Sequence, residues 1–246
     1  MPIIILTILA QIFCAYHVVS TGRDKYWIGL IIMVPGLGCL IYFVTQILPD
    51  AGKSRTAGTA KNTVLKSIDP MREYREAMQA YGLVESTENR LRLADALYEL
   101  EKYNEAEPYL VQSLVGAHKS DPHILMRLAS VRLHQSDAPS ALALLDQLQQ
   151  DNPGFHSQDG HMLYSKALEQ DGQTEEALKS FSALTDYATG EEARVRYADL
   201  LVGAGYPEDA RVVYDEVIKR VDRGTKFYRK AQQNWREKAL QGLERV

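Results

Sequence analysis

The sequence predicts an all-α protein: a two-helix transmembrane hairpin, then an α-solenoid of about four helix–turn–helix repeats with a capping helix at each end. Three observations carry this expectation. Four alanines, Ala106, Ala141, Ala177 and Ala210, fall thirty-five, thirty-six and thirty-three residues apart. Each closes the same short phrase, YNEA, APSA, TEEA or PEDA, with apolar residues at matching offsets around it. The first 48 residues are a different material, nearly all apolar, while the remainder of the 246-residue chain is richly charged.

The hairpin is expected over 1–48, as helices 2–19 and 26–48. Pro2 to Val19 is dominated by Ile, Leu, Ala, Val and Phe, interrupted by Thr7, Gln11 and His17, and Tyr26 to Leu48 carries no charged side chain. Crossing a bilayer takes about 20 apolar residues, which the second segment exceeds and the first barely meets. Tyr26 and Trp27 suit a membrane interface, and Lys53, Arg55, Lys61 and Lys66 outweigh Arg23 and Lys25. That bias predicts a bacterial inner-membrane protein with a cytoplasmic repeat domain, touching lipid through residues 2–48. Residues 49–67, rich in Gly, Ala, Thr, Ser and Lys, read as a flexible linker.

Asp69-Pro70 opens a capping helix within 68–86, with Met71, Tyr74, Met78 and Tyr81 at three- and four-residue steps. The repeats occupy 87–222, divided as 87–121, 122–157, 158–190 and 191–222. Twelve residues before each alanine stand the small residues Ala94, Ala129, Ser165 and Ala198, each preceded by Leu93, Leu128, Tyr164 or Tyr197. Four residues after each alanine come Leu110, Leu145, Phe181 and Tyr214. These spacings place one apolar stripe on each helix, and the small residues let paired backbones approach. Gly172 and Gly205 mark turns, while Asp121-Pro122 and Asn152-Pro153 punctuate unit boundaries. Arg132 stands where the pattern wants an apolar group, and is expected to pack its stem and keep its head wet. A C-terminal cap over 223–246 follows, with Phe227, Ala231, Trp235, Ala239 and Leu243 at four-residue steps. Its lysines and arginines read as a solvated face.

The period, the phrase and the offsets resemble the tetratricopeptide repeat, a helix–turn–helix unit that must stack to bury its apolar side. The resemblance implies a non-catalytic scaffold or adaptor binding a protein partner. The run WIGLIIMVPGLGCLIYFV, with Trp27, Pro35, Gly38 and Tyr42, resembles the N-terminal membrane hairpin of the phospholipase D–nuclease superfamily, of the cardiolipin-synthase type. That superfamily's HxKxxxxD motif is absent, so the likeness implies an anchor, and at most an accessory subunit of phospholipid synthesis. The layout is also similar to envelope assembly factors for lipopolysaccharide or the outer membrane, although the CxxC knuckle of the lipopolysaccharide-assembly member is missing.

No catalytic set or phosphate loop stands out, so no enzyme and no cofactor is expected. A net charge of −4 argues against nucleic acid. His156, Asp159 and His161 cluster without a third strong ligand, and no metal is assigned to them. The partner-binding groove is expected on the first helix of each unit: Glu88, Asp95, Tyr98 and Glu99 in the first, His123, Met126, Ser130 and His134 in the second. Asp159, Met162, Lys166 and Glu169 follow from the third unit, then Glu192 and Asp199 from the fourth. The family's clamp for acidic chaperone tails needs Lys and Asn where Leu91 and Asp95 stand. The mostly acidic lining with Tyr and Met therefore predicts a basic or mixed basic and apolar partner segment.

Overall fold

The computed structural model describes residues 2–21, 24, 26–34, 36–47 and 69–246. All of its regular elements are helical. The chain divides into two compact units, Met1–Arg72 and Glu73–Val246. The linker expected at 49–67 lies outside the described residues, as do Arg23 and Lys25.

The N-terminal unit holds α1 (Pro2–Ser20), α2 (Tyr26–Met33) and α3 (Leu37–Tyr42), continued by a π-helical turn at Phe43–Ile47. The expected second span is therefore not one helix. Gly36 takes a left-handed φ of 82°, and Gly38 lies so close to α2 that an added Cβ would sit 2.5 Å from the Leu30 carbonyl oxygen. At 1.5 Å per residue, the eight residues of α2 reach about 12 Å and the six of α3 about 9 Å, against about 30 Å of hydrocarbon. Polar groups of α1 serve the inside of this small unit: Gln11 Nε2 donates to the Ile31 carbonyl at 2.8 Å, and His17 Nδ1 meets the Tyr42 hydroxyl at 3.0 Å. Around them Cys14, Val18, Ile31, Cys39 and Tyr42 form a buried cluster. Among the described residues no helix is long and apolar enough to cross a membrane. The transmembrane hairpin and the inner-membrane location are corrected accordingly.

Helix α4 (Arg72–Leu83), from its second residue on, opens the second unit, which continues through four helix pairs. These are α5 (Thr87–Glu99) with α6 (Tyr103–Ser113), α7 (Pro122–His134) with α8 (Ala138–Asp151), α9 (Gln158–Gln170) with α10 (Thr174–Thr185), and α11 (Glu192–Gly203) with α12 (Pro207–Arg223). The last helix is α13 (Lys226–Leu243). Helix starts follow from capping: the side chains of Ser86, Asp121, Asp137, Ser157 and Thr225 each accept a backbone N–H of the first turn. All four signature alanines are fully buried. The core passes from pair to pair, since Leu97 and Leu110 cluster with Leu128 and Val131, and Ala141 and Leu145 cluster with Ala167 and Ala177. No pair covers its own apolar side, which is why the stack exists.

The turns inside the pairs repeat as closely as the alanines. Five residues before each alanine, Glu101, Ser136, Gly172 and Gly205 all adopt positive φ, at 58°, 64°, 79° and 87°. The amide after each donates to the carbonyl five residues back: Lys102 to Leu97, Asp137 to Arg132, Gln173 to Leu168 and Tyr206 to Leu201, at 2.8–3.0 Å. This is the hydrogen bond of a Schellman-type helix end. Two L-residues therefore sit where glycine is unstrained, at a cost of about 1–2 kcal/mol each, part of which glycine returns as unfolded-chain entropy. Glu101→Gly and Ser136→Gly are each expected to raise stability by about 0.5–1 kcal/mol in urea unfolding. A destabilisation by either would contradict this account of the turns.

Three local expectations need adjustment. Arg132 is half-buried with its head paired, to Glu107 at 2.6 Å and Asp137 at 3.2 Å, rather than left to water. In α4 the packed face is Tyr74, Ala77 and Tyr81, while Met78 is exposed, as is Met71 just before the helix. Of the stripe expected in α13, Trp235, Ala239 and Leu243 pack, joined by Tyr228 and Gly242, whereas Phe227 is 83% exposed and Ala231 is exposed too. Strict four-residue steps turn through about 40° each on a helix of 3.6 residues per turn, so such a stripe drifts off any face. Alternating threes and fours hold one face. The basic residues of α13 are partly occupied, with Arg236 on Asp222 at 2.7 Å and Lys238 4.2 Å from the Trp235 ring centre.

Candidate functional site

A groove of about 820 Å³ runs along the first helices of the pairs. It draws Asp95 and Tyr98 from α5, His123, Met126 and Ser130 from α7, Asp159, Met162 and Lys166 from α9, and Glu192 from the start of α11. These nine were expected from the repeat register. They meet because residues three, four and seven apart share a helix face, and stacking sets the four faces side by side. Leu91, Ala94, Leu110, Ile124, Val131 and Leu163 make an apolar floor.

The remaining expected residues are placed differently. Glu88 is exposed in the first turn of α5, and Glu99 is exposed at its end. His134 stacks on Tyr103 with ring centres 4.7 Å apart, and touches Tyr98 edge-on at 5.3 Å. Glu169 pairs with Arg196 at 3.3 Å. Asp199 accepts the Tyr214 hydroxyl at 2.6 Å and so ties α11 to α12.

The electrostatics are less one-sided than the carboxylate count suggests. Arg127, which the register alone does not single out, lines the groove and pairs with Asp95 at 2.9 Å. Burial pushes the Asp95 carboxyl above its ordinary range, and Arg127 only partly offsets this. Glu192 meets Lys166 at 2.5 Å and Arg196 at 3.0 Å. Burial would raise the Glu192 pKa, but these two cations overcome it and hold the group below the usual range. Two of these pairs join neighbouring units, thirty-two residues apart for Asp95–Arg127 and twenty-six for Lys166–Glu192, while Glu192–Arg196 lies within α11. Opposite charges about one repeat apart were the signal available in the sequence. Asp159 stays exposed in the middle of the groove, between Met126 and Met162 in register. Across the first two units the Tyr98 hydroxyl and Ser130 Oγ share a hydrogen bond of 2.8 Å.

His156, Asp159 and His161, adjacent in sequence, are divided. Asp159 lines the groove, while His156 and His161 line a second cavity of about 740 Å³ between α8, the 152–157 connection and α9. His161 Nδ1 is hydrogen-bonded to the Tyr187 hydroxyl and Nε2 to Ser180 Oγ at 3.0 Å. Burial lowers the pKa of His161 below the ordinary imidazole value. The unfolded chain therefore takes up this proton first as pH falls, so the stabilisation is complete above about pH 6.5 and is lost below it. The melting temperature should fall between pH 7.5 and 5.5, and fall less in His161→Gln. An equal fall in both proteins would remove His161 as a contributor. Among the described residues no group of three His, Cys, Asp or Glu is arranged to hold a metal ion.

Residues 91–154 match the family described as Tetratricopeptide repeat. Similar solved structures include the tetratricopeptide protein TTC0263 of Thermus thermophilus, 16% identical, covering 69% of this chain and 88% of that one with a TM-score of 0.54. MamA of Desulfovibrio magneticus RS-1 is likewise 16% identical, over 68% of this chain and 95% of that one, with a TM-score of 0.55. No curated protein matches in sequence. The matches establish a tetratricopeptide-repeat fold, a class of module that in general binds proteins rather than catalysing reactions. The N-terminal hairpin lies outside the family match, and its likeness to the phospholipase D–nuclease type finds no support.

Proposed function

We propose that this tetratricopeptide-repeat chain is a scaffold or adaptor that holds an extended segment of a partner protein in the groove of α5, α7, α9 and α11. The observation that carries this reading is the lining itself. An apolar floor, two flexible methionines and Tyr98 supply anchoring surface, and a few fixed polar groups supply register. A volume near 820 Å³ suits a short run of side chains.

The charge pattern narrows the partner. Asp95 and Glu192 are already neutralised within the groove, and Asp121 is committed to capping α7. Asp159 is left as the carboxylate facing an incoming chain. The partner segment is therefore mixed: apolar side chains over Met126 and Met162, with one lysine or arginine near Asp159.

Peptides displayed on phage and selected against the full chain test this directly. Selected sequences should combine spaced apolar residues with a basic one, and Met126→Ala/Met162→Ala should weaken their binding at least tenfold. Selection of acidic peptides in preference to basic ones, or binding indifferent to the methionine changes, would exclude the proposal.

A further inference from the structure

We infer that the second cavity is a site for a basic side chain, arginine or lysine, presented by a partner polypeptide. It shares no lining residue with the groove, and the inference stands apart from the groove reading. Helix α9 serves both cavities from different sides: Met162 and Lys166 face the groove, and Gly160, His161 and Tyr164 face the second cavity.

Charge and rings point to a cation. Of the residues lining the cavity, Asp146 alone is a carboxylate, and no lysine or arginine is among them. Burial, and next the nearby Asp146 carboxylate, keep the Tyr164 phenol protonated well into the alkaline range. Phe155, Tyr164 and Tyr187 add aromatic faces, which attract cations through their quadrupoles. Leu145 and Leu148 offer apolar surface for the methylene stem of a long basic side chain. Ser180 and Tyr187 occupy both ring nitrogens of His161, and burial favours its neutral form, so the imidazole adds no positive charge at neutral pH.

The start of α9 also borders this cavity, and a helix N-terminus favours anions. Its influence is about half an elementary charge at most. Here Ser157 Oγ already accepts the Gly160 amide at 3.1 Å, and Asp159 lies in the first turn. The full charge of Asp146 outweighs what remains. A volume of about 740 Å³ exceeds what a lone amine fills and leaves room for flanking backbone, which selects a polypeptide source over a free small amine.

The test uses the full chain with isotope-labelled His and Tyr rings, followed by NMR. The probes are Ac-GSGRGS-NH2, the same peptide with citrulline in place of arginine, and agmatine. The arginine peptide should shift the His161 and Tyr187 ring signals saturably, with citrulline binding at least tenfold more weakly. Asp146→Asn, a near-isosteric change at an exposed position, should weaken the arginine peptide at least tenfold without changing the melting temperature. The inference is overturned by absence of a saturable shift, by equal binding of citrulline, by indifference to Asp146→Asn, or by agmatine binding while the peptide is excluded. The citrulline comparison needs no variant, so it decides even if Asp146→Asn is poorly folded.

Discussion

Glu191→Ala is expected to destabilise the repeat unit by about 3 kcal/mol, at the low end of the 3–5 typical of breaking a buried ion pair. Glu191 is 0% exposed. One carboxylate oxygen accepts from Arg220 Nε at 3.0 Å and from the Tyr228 hydroxyl at 2.6 Å, and the other lies 3.4 Å from Arg194. Its own amide donates to Gln232 at 3.0 Å. Three helices, α11, α12 and α13, thus converge on one carboxylate at the start of α11, where the helix dipole also favours an anion. Alanine leaves Arg194 buried without this partner. Arg220 can still reach water, which is why the lower figure applies. Urea unfolding measures the loss, and hydrogen exchange should show α13 opening first. A cost under 1 kcal/mol, or exchange unchanged in α13, would show that the cluster does not hold the last helix.

Phe181→Ala should cost about 3–5 kcal/mol, the range for deleting a buried aromatic ring. Phe181 is fully buried on α10 against Leu184, Ala188 and Ala193, with Met162, Tyr197 and Leu200 packed around the cluster. It lies at the joint between the third and fourth pairs. In a stack where each unit touches only its neighbours, a cavity at one joint weakens coupling across that joint most. Unfolding should broaden in urea as the two sides separate, and peptides selected for the groove should bind more weakly because Met162 loses its backing. A small loss of stability with peptide binding intact would mean that the joint relaxes around the missing ring.

Most of the repeat was legible because its chemistry recurs. A small residue is needed wherever paired helices cross, so alanines at one period announce four crossings. The same logic placed Asp95, Met126, Met162 and Glu192 together in the groove, since register along equivalent helices becomes adjacency across the stack. Less was legible where the recurring requirement is conformational. Glu101 and Ser136 share the left-handed turn of Gly172 and Gly205, yet neither residue type advertises positive φ. Their place five residues before each alanine was the available clue.

Single arrangements left weaker traces. Glu191 looks like solvated surface in sequence, and only the return of α13 buries it. The second cavity depends on the irregular 152–157 connection, which follows no period. Arg127 escapes a register followed one helix at a time, because its partner Asp95 belongs to the preceding unit. In the N-terminal segment, apolar composition suggested length, but composition does not report continuity. Gly36 and the close approach at Gly38 divide the second stretch into pieces far shorter than a span.

The most direct test of the groove as a docking surface labels the methionine ε-methyl groups of the full chain and titrates a selected peptide. Met126 and Met162 line the groove, whereas Met78 lies exposed on α4 and Met71 is an exposed residue of the N-terminal unit. Saturable shifts confined to Met126 and Met162, abolished when the basic residue of the peptide is replaced by glutamate, are the predicted result. Shifts at Met71 and Met78 with Met126 and Met162 unmoved would place the partner elsewhere and contradict the account.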